Sequence, residues 1–173
     1  LARKYTSKVY QREFDDFASQ RNFGLEQVES EWVLVVDADE RVTAELKAEI
    51  VEKLANPQAE GYRVPRRNYF LGKWIKHCGW YPDYTLRLFK PDENRYSGLV
   101  HEGIELEGRV DDLNSDLIHY TYRDLEHYLD KMNHYTTLDA KKKYQAGVKK
   151  SLAYILLRPV VEFIKKFILK KGF

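Results

Sequence analysis

The sequence is poor in cysteine, with a single thiol at Cys78, and it has one methionine, five prolines and nine glycines in 173 residues. A lone cysteine excludes a disulfide within the chain and a cysteine-based zinc site, and we interpret Cys78 as an ordinary half-buried thiol. No apolar run approaches the ~18 residues that a transmembrane helix needs. In contrast, 43% hydrophobic and 14% aromatic content exclude wholesale disorder and predict a chain that folds around a core.

The charge is distributed unevenly, although the net charge is only +2. Residues 141–173 hold ten Lys or Arg side chains and one acid, which gives this segment a net charge of +9 and leaves the other 140 residues at −7. Such an asymmetry predicts that the carboxyl-terminal segment meets an anionic surface. Because the body is acidic and the excess of basic residues is confined to this apolar carboxyl-terminal segment, we expect no nucleic-acid partner.

Residues 151–173 form a basic amphipathic pattern. Four charged residues fall at helical spacing on one side and leave a broad face of Leu, Ile, Val and Phe; they are Arg158, Glu162, Lys165 and Lys166. A basic amphipathic helix suits the surface of an anionic membrane. The alternative is a helix packed on its own domain or on a partner subunit.

The hydrophobic pattern predicts an α/β organisation. Residues 32–36 form a continuous apolar run with three valines, which is typical of a strand buried on both faces of a parallel sheet. Thr43 is a good N-cap for a helix over residues 44–55. Short alternating stretches then predict an antiparallel or mixed extension. The remaining predicted helices span residues 15–28 and 124–144, and the predicted later strands span residues 61–70, 84–92, 99–106 and 116–122.

The stretch EWVLVVDADERVT at residues 31–43 places acids directly after the apolar run. Crowded carboxylates repel each other unless a positive group lies among them. Asp37 and Asp39, one residue apart on a turn, can both face one Mg²⁺ or Mn²⁺ ion, which prefers oxygen ligands. Since ligands bind at the carboxyl ends of strands in open α/β sheets, the turn is a candidate site for a substrate diphosphate.

Phosphatases of the haloacid dehalogenase type offer a competing interpretation, because they also place D-x-D after an apolar strand and use the first Asp as a nucleophile. Their motif has Thr or Val two residues after the second Asp, where this sequence has Arg41. The long aromatic loop that follows residue 70 does not suit that class either.

Four ordered segments instead resemble inverting glycosyltransferases of family 2, within them the lipopolysaccharide-core subgroup that adds glucose to heptose. The segments are FASQRNFGLEQVESEWVLVVDADERVTAEL, GWYPDYTLRLFK, SGLVHEGIEL and LIHYTY. The resemblance implies a GT-A type fold, a mixed sheet flanked by helices. The family's first βαβ unit is incomplete here, so we expect the chain to be an internal portion of a longer protein.

On the donor side, the resemblance implies that Asp39 ligates the metal directly and that His119 is a third ligand. Asp37 would contact the sugar nucleotide or hold metal-bound water. Arg21 and Asn22 match a pair that precedes the D-x-D strand and would support nucleotide binding. Arg87, which is expected on the polar side of its strand, would pair with a phosphate, as Arg does bidentately.

On the acceptor side, inversion needs one base to take the proton of the attacking hydroxyl. Glu102 of the V-H-E element is the predicted base, with His101 orienting it or binding acceptor. Asp83 is the alternative base and otherwise contacts an acceptor hydroxyl. Trp80 and Tyr81, together with Trp74, offer flat faces to a sugar ring or act as hydrophobic plugs.

These inferences combine into one functional hypothesis with a rival. The chain would use Mn²⁺ or Mg²⁺ to move a hexose, expected to come from UDP-glucose, to a lipopolysaccharide-core or other lipid-linked acceptor, on the cytoplasmic face of the cell membrane. Residues 1–147 would form the partial GT-A catalytic domain and residues 148–173 the membrane-surface helix. The rival is a non-catalytic membrane-binding or partner-binding module whose acidic turn is structural.

Overall fold

A computed structural model describes residues 2–91, 95–97, 103–104 and 106–172 of the chain. After a short 3₁₀ turn at Ala2–Lys4, the helices are α1 (Phe17–Glu26), α2 (Ala44–Ala55), α3 (Leu125–Gln145) and α4 (Leu152–Phe163), and a π-helical segment follows at Ile164–Leu169. The strands are β1 (Val33–Leu34), β2 (Glu40–Val42), β3 (Gly61–Phe70), β4 (Lys73–Trp74), β5 (Asp83–Phe89), β6 (Tyr96–Ser97), β7 (Gly103–Ile104), β8 (Val110–Asp112) and β9 (Leu117–Tyr122).

Each of the four α-helices begins at a side chain that caps it. Thr43 accepts a hydrogen bond from the backbone N–H of Leu46 at 3.1 Å, so α2 begins and ends where the sequence predicts. Asp16, Asp124 and Ser151 cap α1, α3 and α4 in the same way. Helix α1 is shorter than predicted, because its cap lies at Asp16 and its last residue is Glu26.

In the described residues, seven strands form one mixed sheet with the order β1-β5-β3-β9-β2, while β4 and β8 also pair with β3. Strand β3 pairs antiparallel with β5 and β4 but parallel with β8 and β9. The antiparallel or mixed character predicted for residues 61–122 is therefore confirmed. Strands β6 and β7 pair separately as a small second sheet.

The prediction for residues 32–36 is wrong in one respect. This run does not form a strand buried on both faces of a parallel sheet, because β1 covers two residues and pairs antiparallel with β5. It lies at the end of the strand order, and among the described residues it has no strand neighbour on its other side. Its side chains are consequently only half-buried, and Val36 is 41% exposed.

One face of the sheet carries both the core and the candidate site. Side chains of residues i and i+2 share a face, so Tyr62 and Val64 lie on the same side of β3 as the more distal Arg66 and Asn68. The apolar end of this face packs against α2 around the fully buried Leu46. The polar end lies beyond α2 and faces the acidic turn.

The carboxyl-terminal segment forms helix as predicted, although it ends in π-helical turns rather than continuing as one α-helix. Its apolar side chains are exposed, for example Leu156 at 65% and Phe163 at 60%. The segment touches the body at its end, where the backbone N–H of Cys78 donates to the carbonyl of Lys170 at 3.0 Å. None of the helices in the described part of the chain is long and apolar enough to cross a membrane.

Candidate functional site

The acidic turn connects β1 to β2 and is closed by its own carboxylates. The N–H of Glu40 donates to the carbonyl of Asp37 at 3.0 Å, and the N–H of Asp37 donates to Glu40 Oε2 at 2.8 Å. Glu40 is only 2% exposed because it opens β2 inside the sheet. The turn therefore has a defined shape, with Asp37 and Asp39 on its accessible side.

Two arginines hold Asp37. Arg21 of α1 donates to Asp37 Oδ1 at 2.9 Å, and Arg87 of β5 donates to Asp37 Oδ2 at 2.8 Å. Arg87 also pairs with Glu40, and both side chains are almost completely buried. Burial of the Asp37 carboxyl raises its pKa, but the charges and hydrogen bonds of Arg87 and Arg21 outweigh this and lower the pKa below its usual value. Asp37 is thus ionised and fixed in place.

Asp39 faces a different partner, His119 of β9. The strand register places Glu40 of β2 opposite His119 of β9, and His119 opposite Asn68 of β3. The three residues are therefore cross-strand neighbours in the sheet. The Nε2 atom of His119 lies 3.6 Å from Asp39 Oδ2, and the N–H of Tyr120 donates to the Asp39 carbonyl at 2.9 Å. Residues 80 positions apart in the sequence are therefore adjacent in the site.

The hydrogen bonds of His119 define its protonation. Its Nδ1 lies 2.6 Å from Asn68 Oδ1, an acceptor, so Nδ1 carries the proton and Nε2 turns its lone pair toward Asp39. Burial of the imidazole and the charge of Arg66 lower the pKa of His119 and favour the neutral ring. A lone pair and a carboxylate that face each other at 3.6 Å repel, and a cation, a proton or a water molecule between them relieves this repulsion.

This arrangement fits a divalent cation with two protein ligands. Among the described residues, no group of three or more His, Cys, Asp or Glu side chains is arranged to hold a metal ion. Mg²⁺, however, is commonly bound by one or two carboxylates, waters and substrate phosphates. Asp39 and His119 would hold the ion, with Nδ1–H donation by His119 as the usual supporting bond of a metal-ligating histidine. The two carboxylate oxygens of Asp37 are already paired with Arg21 and Arg87, so Asp37 is not one of these two ligands.

Two cavities meet at His119. The first, of about 510 Å³, is lined by Asp37, Asp39 and His119 and by apolar side chains in and directly after α1 and β1; these include Phe17, Leu25, Val28, Val33 and Val35. We call it the donor-side cavity. The second, of about 270 Å³, also contains His119 and is lined by Asn68, Trp80 and Asp83 among others. We call it the acceptor-side cavity. The arrangement suits a reaction between two substrates at their boundary.

In the acceptor-side cavity, Asp83 is held by two donors on one oxygen. Arg66 donates to Asp83 Oδ2 at 2.6 Å and Asn68 donates to the same atom at 3.1 Å. The Trp80 ring packs against Phe70 and Tyr122 at centroid distances of 6.3 and 6.2 Å while it also lines the cavity. Trp80 therefore packs as expected for a hydrophobic plug and also lines the cavity, and its contact with a sugar ring stays a prediction.

Three other predicted residues, Tyr81, Trp74 and Asn22, do not line either cavity. The ring of Tyr81 packs edge-on against Trp74 at 5.1 Å, and Trp74 also stacks with Arg67. The amide of Asn22 makes hydrogen bonds of 3.0 and 2.8 Å with the backbone of Tyr96, which ties α1 to β6. Arg21, next to Asn22, lines the donor-side cavity. His101 and Glu102 lie outside the described residues, so the predicted base stays a prediction.

The structure adds four residues that sequence reasoning missed, namely Glu40, Arg66, Asn68 and Tyr96. Arg66 links Asp83 with the buried Glu40, from which it lies 3.8 Å away. The guanidinium of Arg21 lies over the Tyr96 ring at 5.2 Å. A signal existed for Asn68, because asparagine is unfavourable inside a strand. Glu40 was visible as the third acid of the turn.

Comparison with known proteins identifies the family of the chain. Residues 1–101 match the glycosyl transferase family 2. The chain is 31% identical over 160 residues to the lipopolysaccharide core biosynthesis glycosyltransferase LpsC of Rhizobium meliloti; the match covers 87% of this chain and 57% of that protein. Uncharacterized glycosyltransferases of Rickettsia conorii and Rickettsia typhi are 24% and 23% identical, with all of this chain and 66% and 64% of theirs covered. The mixed sheet with its flanking helices is a partial GT-A domain, and the chain belongs to glycosyl transferase family 2.

Proposed function

We propose that the chain carries the metal turn and the acceptor side of an inverting hexosyltransferase. The observation that carries this proposal is the pair formed by Asp39 and His119, two facing acceptors at the boundary of two cavities. Family membership supports glycosyl transfer. The name of the Rhizobium relative supports a lipopolysaccharide-core acceptor. Another lipid-linked glycan is the alternative acceptor, because it offers the same attacking sugar hydroxyl. The expected donor is UDP-glucose.

On the donor side, Asp39 and His119 would hold Mn²⁺ or Mg²⁺. The bound ion supplies charge neutralisation for the departing nucleotide diphosphate. Asp37, fixed by Arg21 and Arg87, would accept hydrogen bonds from the sugar nucleotide hydroxyls rather than move during the reaction. The apolar wall of the donor-side cavity would exclude water from the sugar-transfer point.

On the acceptor side, Trp80 would offer an apolar surface to a sugar ring and Asp83 would position an acceptor hydroxyl. Arg66 and Asn68 hold the Asp83 carboxylate in place, which suits a positioning contact. The base that takes the hydroxyl proton is proposed to be Glu102. Attack from the face opposite the leaving diphosphate inverts the anomeric centre.

The test is transfer of labelled hexose by the full-length protein, with the anomeric configuration of the product read by NMR. We expect inversion, loss of transfer with EDTA and loss of transfer in Asp39→Ala. Asp112→Ala is a matched control, because Asp112 is an acid paired with Arg63 at the surface, away from both cavities. Transfer at the wild-type rate by Asp39→Ala would contradict the assignment.

The carboxyl-terminal helix would place the enzyme on its lipid-linked acceptor at the inner face of the membrane. Its exposed apolar side chains, among them Ile155, Leu156 and Phe163, can insert at the headgroup boundary while the flanking lysines meet anionic lipid. Association would thus be peripheral. Arg158 and Glu162 form an ion pair at 2.8 Å on the charged side of the helix.

Sedimentation with vesicles of anionic phospholipid tests this part separately. We expect binding that weakens with salt, that is lost on deletion of residues 151–173 and that falls in Lys165→Glu/Lys166→Glu. Lys47→Glu/Lys53→Glu on α2 is the matched control, because it reverses the same number of charges. Unchanged sedimentation after the deletion would contradict the membrane role, whereas vesicle binding without any glycosyl transfer would favour the non-catalytic module.

A further inference from the structure

We propose that Asn68 is a positioning residue that sets the tautomer of His119 and the place of the acceptor loop, residues 75–83, at the same time. The inference rests on the proposed function, because it assigns Asn68 a part in that site. Asn68 lies in β3 next to β9, is 5% exposed and lines the acceptor-side cavity.

The amide of Asn68 is oriented by two acceptors on one side. Its Nδ2 donates to the carbonyl of Trp80 at 2.9 Å and to Asp83 Oδ2 at 3.1 Å. A backbone carbonyl and a carboxylate cannot donate, so a flipped amide would lose both bonds and place its oxygen against them. The oxygen Oδ1 must therefore point away from the loop.

That orientation determines what His119 meets. Oδ1 lies 2.6 Å from His119 Nδ1, and the hydroxyl of Thr121 lies 3.4 Å from the same oxygen. Since Oδ1 only accepts, Nδ1 carries the ring proton and the Nε2 lone pair faces Asp39. The acceptor loop and the donor-side pair are thus joined through one buried side chain, and a contact that fixes one also fixes the other.

Two substitutions separate these roles. Asn68→Asp keeps an acceptor for His119 Nδ1 but puts a carboxylate against the carbonyl of Trp80 and the carboxylate of Asp83. His119 should therefore keep its proton on Nδ1, whereas the hydrogen bonds that hold the acceptor loop should be lost. Asn68→Leu removes the acceptor and the donor together, so both the tautomer of His119 and the position of the acceptor loop should change. Thr121→Val is the control, because its hydroxyl lies at 3.4 Å from both Asn68 Oδ1 and His119 Nδ1 and contributes little at that distance.

The first experiment is two-bond ¹H–¹⁵N NMR of the histidine rings in the full-length protein, with EDTA and at pH 8. The His119 signals are assigned by their absence in His119→Gln. We expect a protonated Nδ1 in the wild type, in Asn68→Asp and in Thr121→Val, and a shift toward protonated Nε2 in Asn68→Leu. A protonated Nε2 in the wild type, or an unchanged ring in Asn68→Leu, would overturn the proposal.

The second experiment is steady-state transfer. Loss of a supporting contact behind a metal-ligating histidine typically costs about 10–100-fold in affinity or activity, so we expect such a loss of kcat in Asn68→Leu. Asn68→Asp should chiefly raise the acceptor KM. This variant decides the loop role even if Asn68→Leu does not fold, and an unchanged acceptor KM would overturn that role. Wild-type protein without transfer would refute the proposed function, whereas the ring signals would still decide the role of Asn68.

Discussion

Replacing Glu40 by glutamine would leave the guanidinium of Arg87 in the protein interior with half of its counter-charge. Glutamine keeps the shape of the side chain and an oxygen that can accept the Asp37 N–H, but its NH₂ group then faces the Arg87 guanidinium, so the change removes both the charge and the hydrogen bond of this pair. In the wild type, Arg87 pairs with Glu40 and, at 2.8 Å, with Asp37, while its side chain is 4% exposed.

The expected magnitude follows from this burial. Removal of one partner from a buried ion pair destabilises a protein by about 3–5 kcal/mol. Because Arg87 retains Asp37, we expect the lower end, about 3 kcal/mol. In a protein of this size about 1 kcal/mol shifts Tm by roughly 2–4 °C, so Glu40→Gln should lower Tm by about 6–12 °C.

Thermal and urea unfolding measure the effect against a matched surface pair. Asp112→Asn breaks the ion pair between Arg63 and Asp112, whose side chains are 50% and 39% exposed, and exposed pairs contribute little to stability. The double replacement Glu40→Gln/Arg87→Met should be less destabilising than the sum of the single ones, since no unpaired charge remains. Equal Tm values for Glu40→Gln and Asp112→Asn would refute the reasoning.

Three further outcomes are expected. Thr43→Ala should lower the free energy of unfolding by about 1 kcal/mol through loss of the α2 cap, with Thr43→Ser recovering most of it in urea unfolding. The Glu49 carboxylate accepts hydrogen bonds from the backbone N–H groups of Asn114 and Ser115 at 2.9 and 2.7 Å. Burial raises the pKa of Glu49, but these hydrogen bonds outweigh the effect of burial and lower the pKa below 4.5. Its contribution is therefore present above pH 4.5 and lost as pH falls through the lower folded value, so Glu49→Gln should flatten that part of a Tm profile against pH. Trp80→Ala should raise the acceptor KM more than the donor KM in steady-state assays.

Local signals in the sequence predicted the elements that depend on neighbouring residues. The bounds of α2 follow from Thr43 and the apolar spacing after it, and β3 occupies the predicted residues 61–70. The family resemblance, carried by four ordered segments, is confirmed by the match over residues 1–101. Each of these features depends on residues that are close together in the sequence, either within one element or within one motif.

Features that depend on strand register were beyond that reasoning. The valine run around β1 indicates burial, but whether its neighbour runs parallel or antiparallel depends on which strand pairs with it. The partners of Val33 and Leu34 in β5 lie 56 and 54 positions away in the sequence. The partners of Arg87 also depend on strand pairing. From the sequence, Arg87 is expected to pair with a phosphate, whereas in the structure it pairs with Asp37 and Glu40. Asn68 meets His119 only because β3 and β9 align in parallel.

Binding of UDP to the full-length protein, measured by titration calorimetry with Mn²⁺ and then with EDTA, tests the central claim most directly. The account predicts binding that requires Mn²⁺ and that is lost in Asp39→Asn and in His119→Ala but retained in Asp112→Asn. UDP binding of equal affinity with EDTA and in Asp39→Asn, or no binding by the folded wild type, would contradict a metal-dependent donor site at Asp39 and His119.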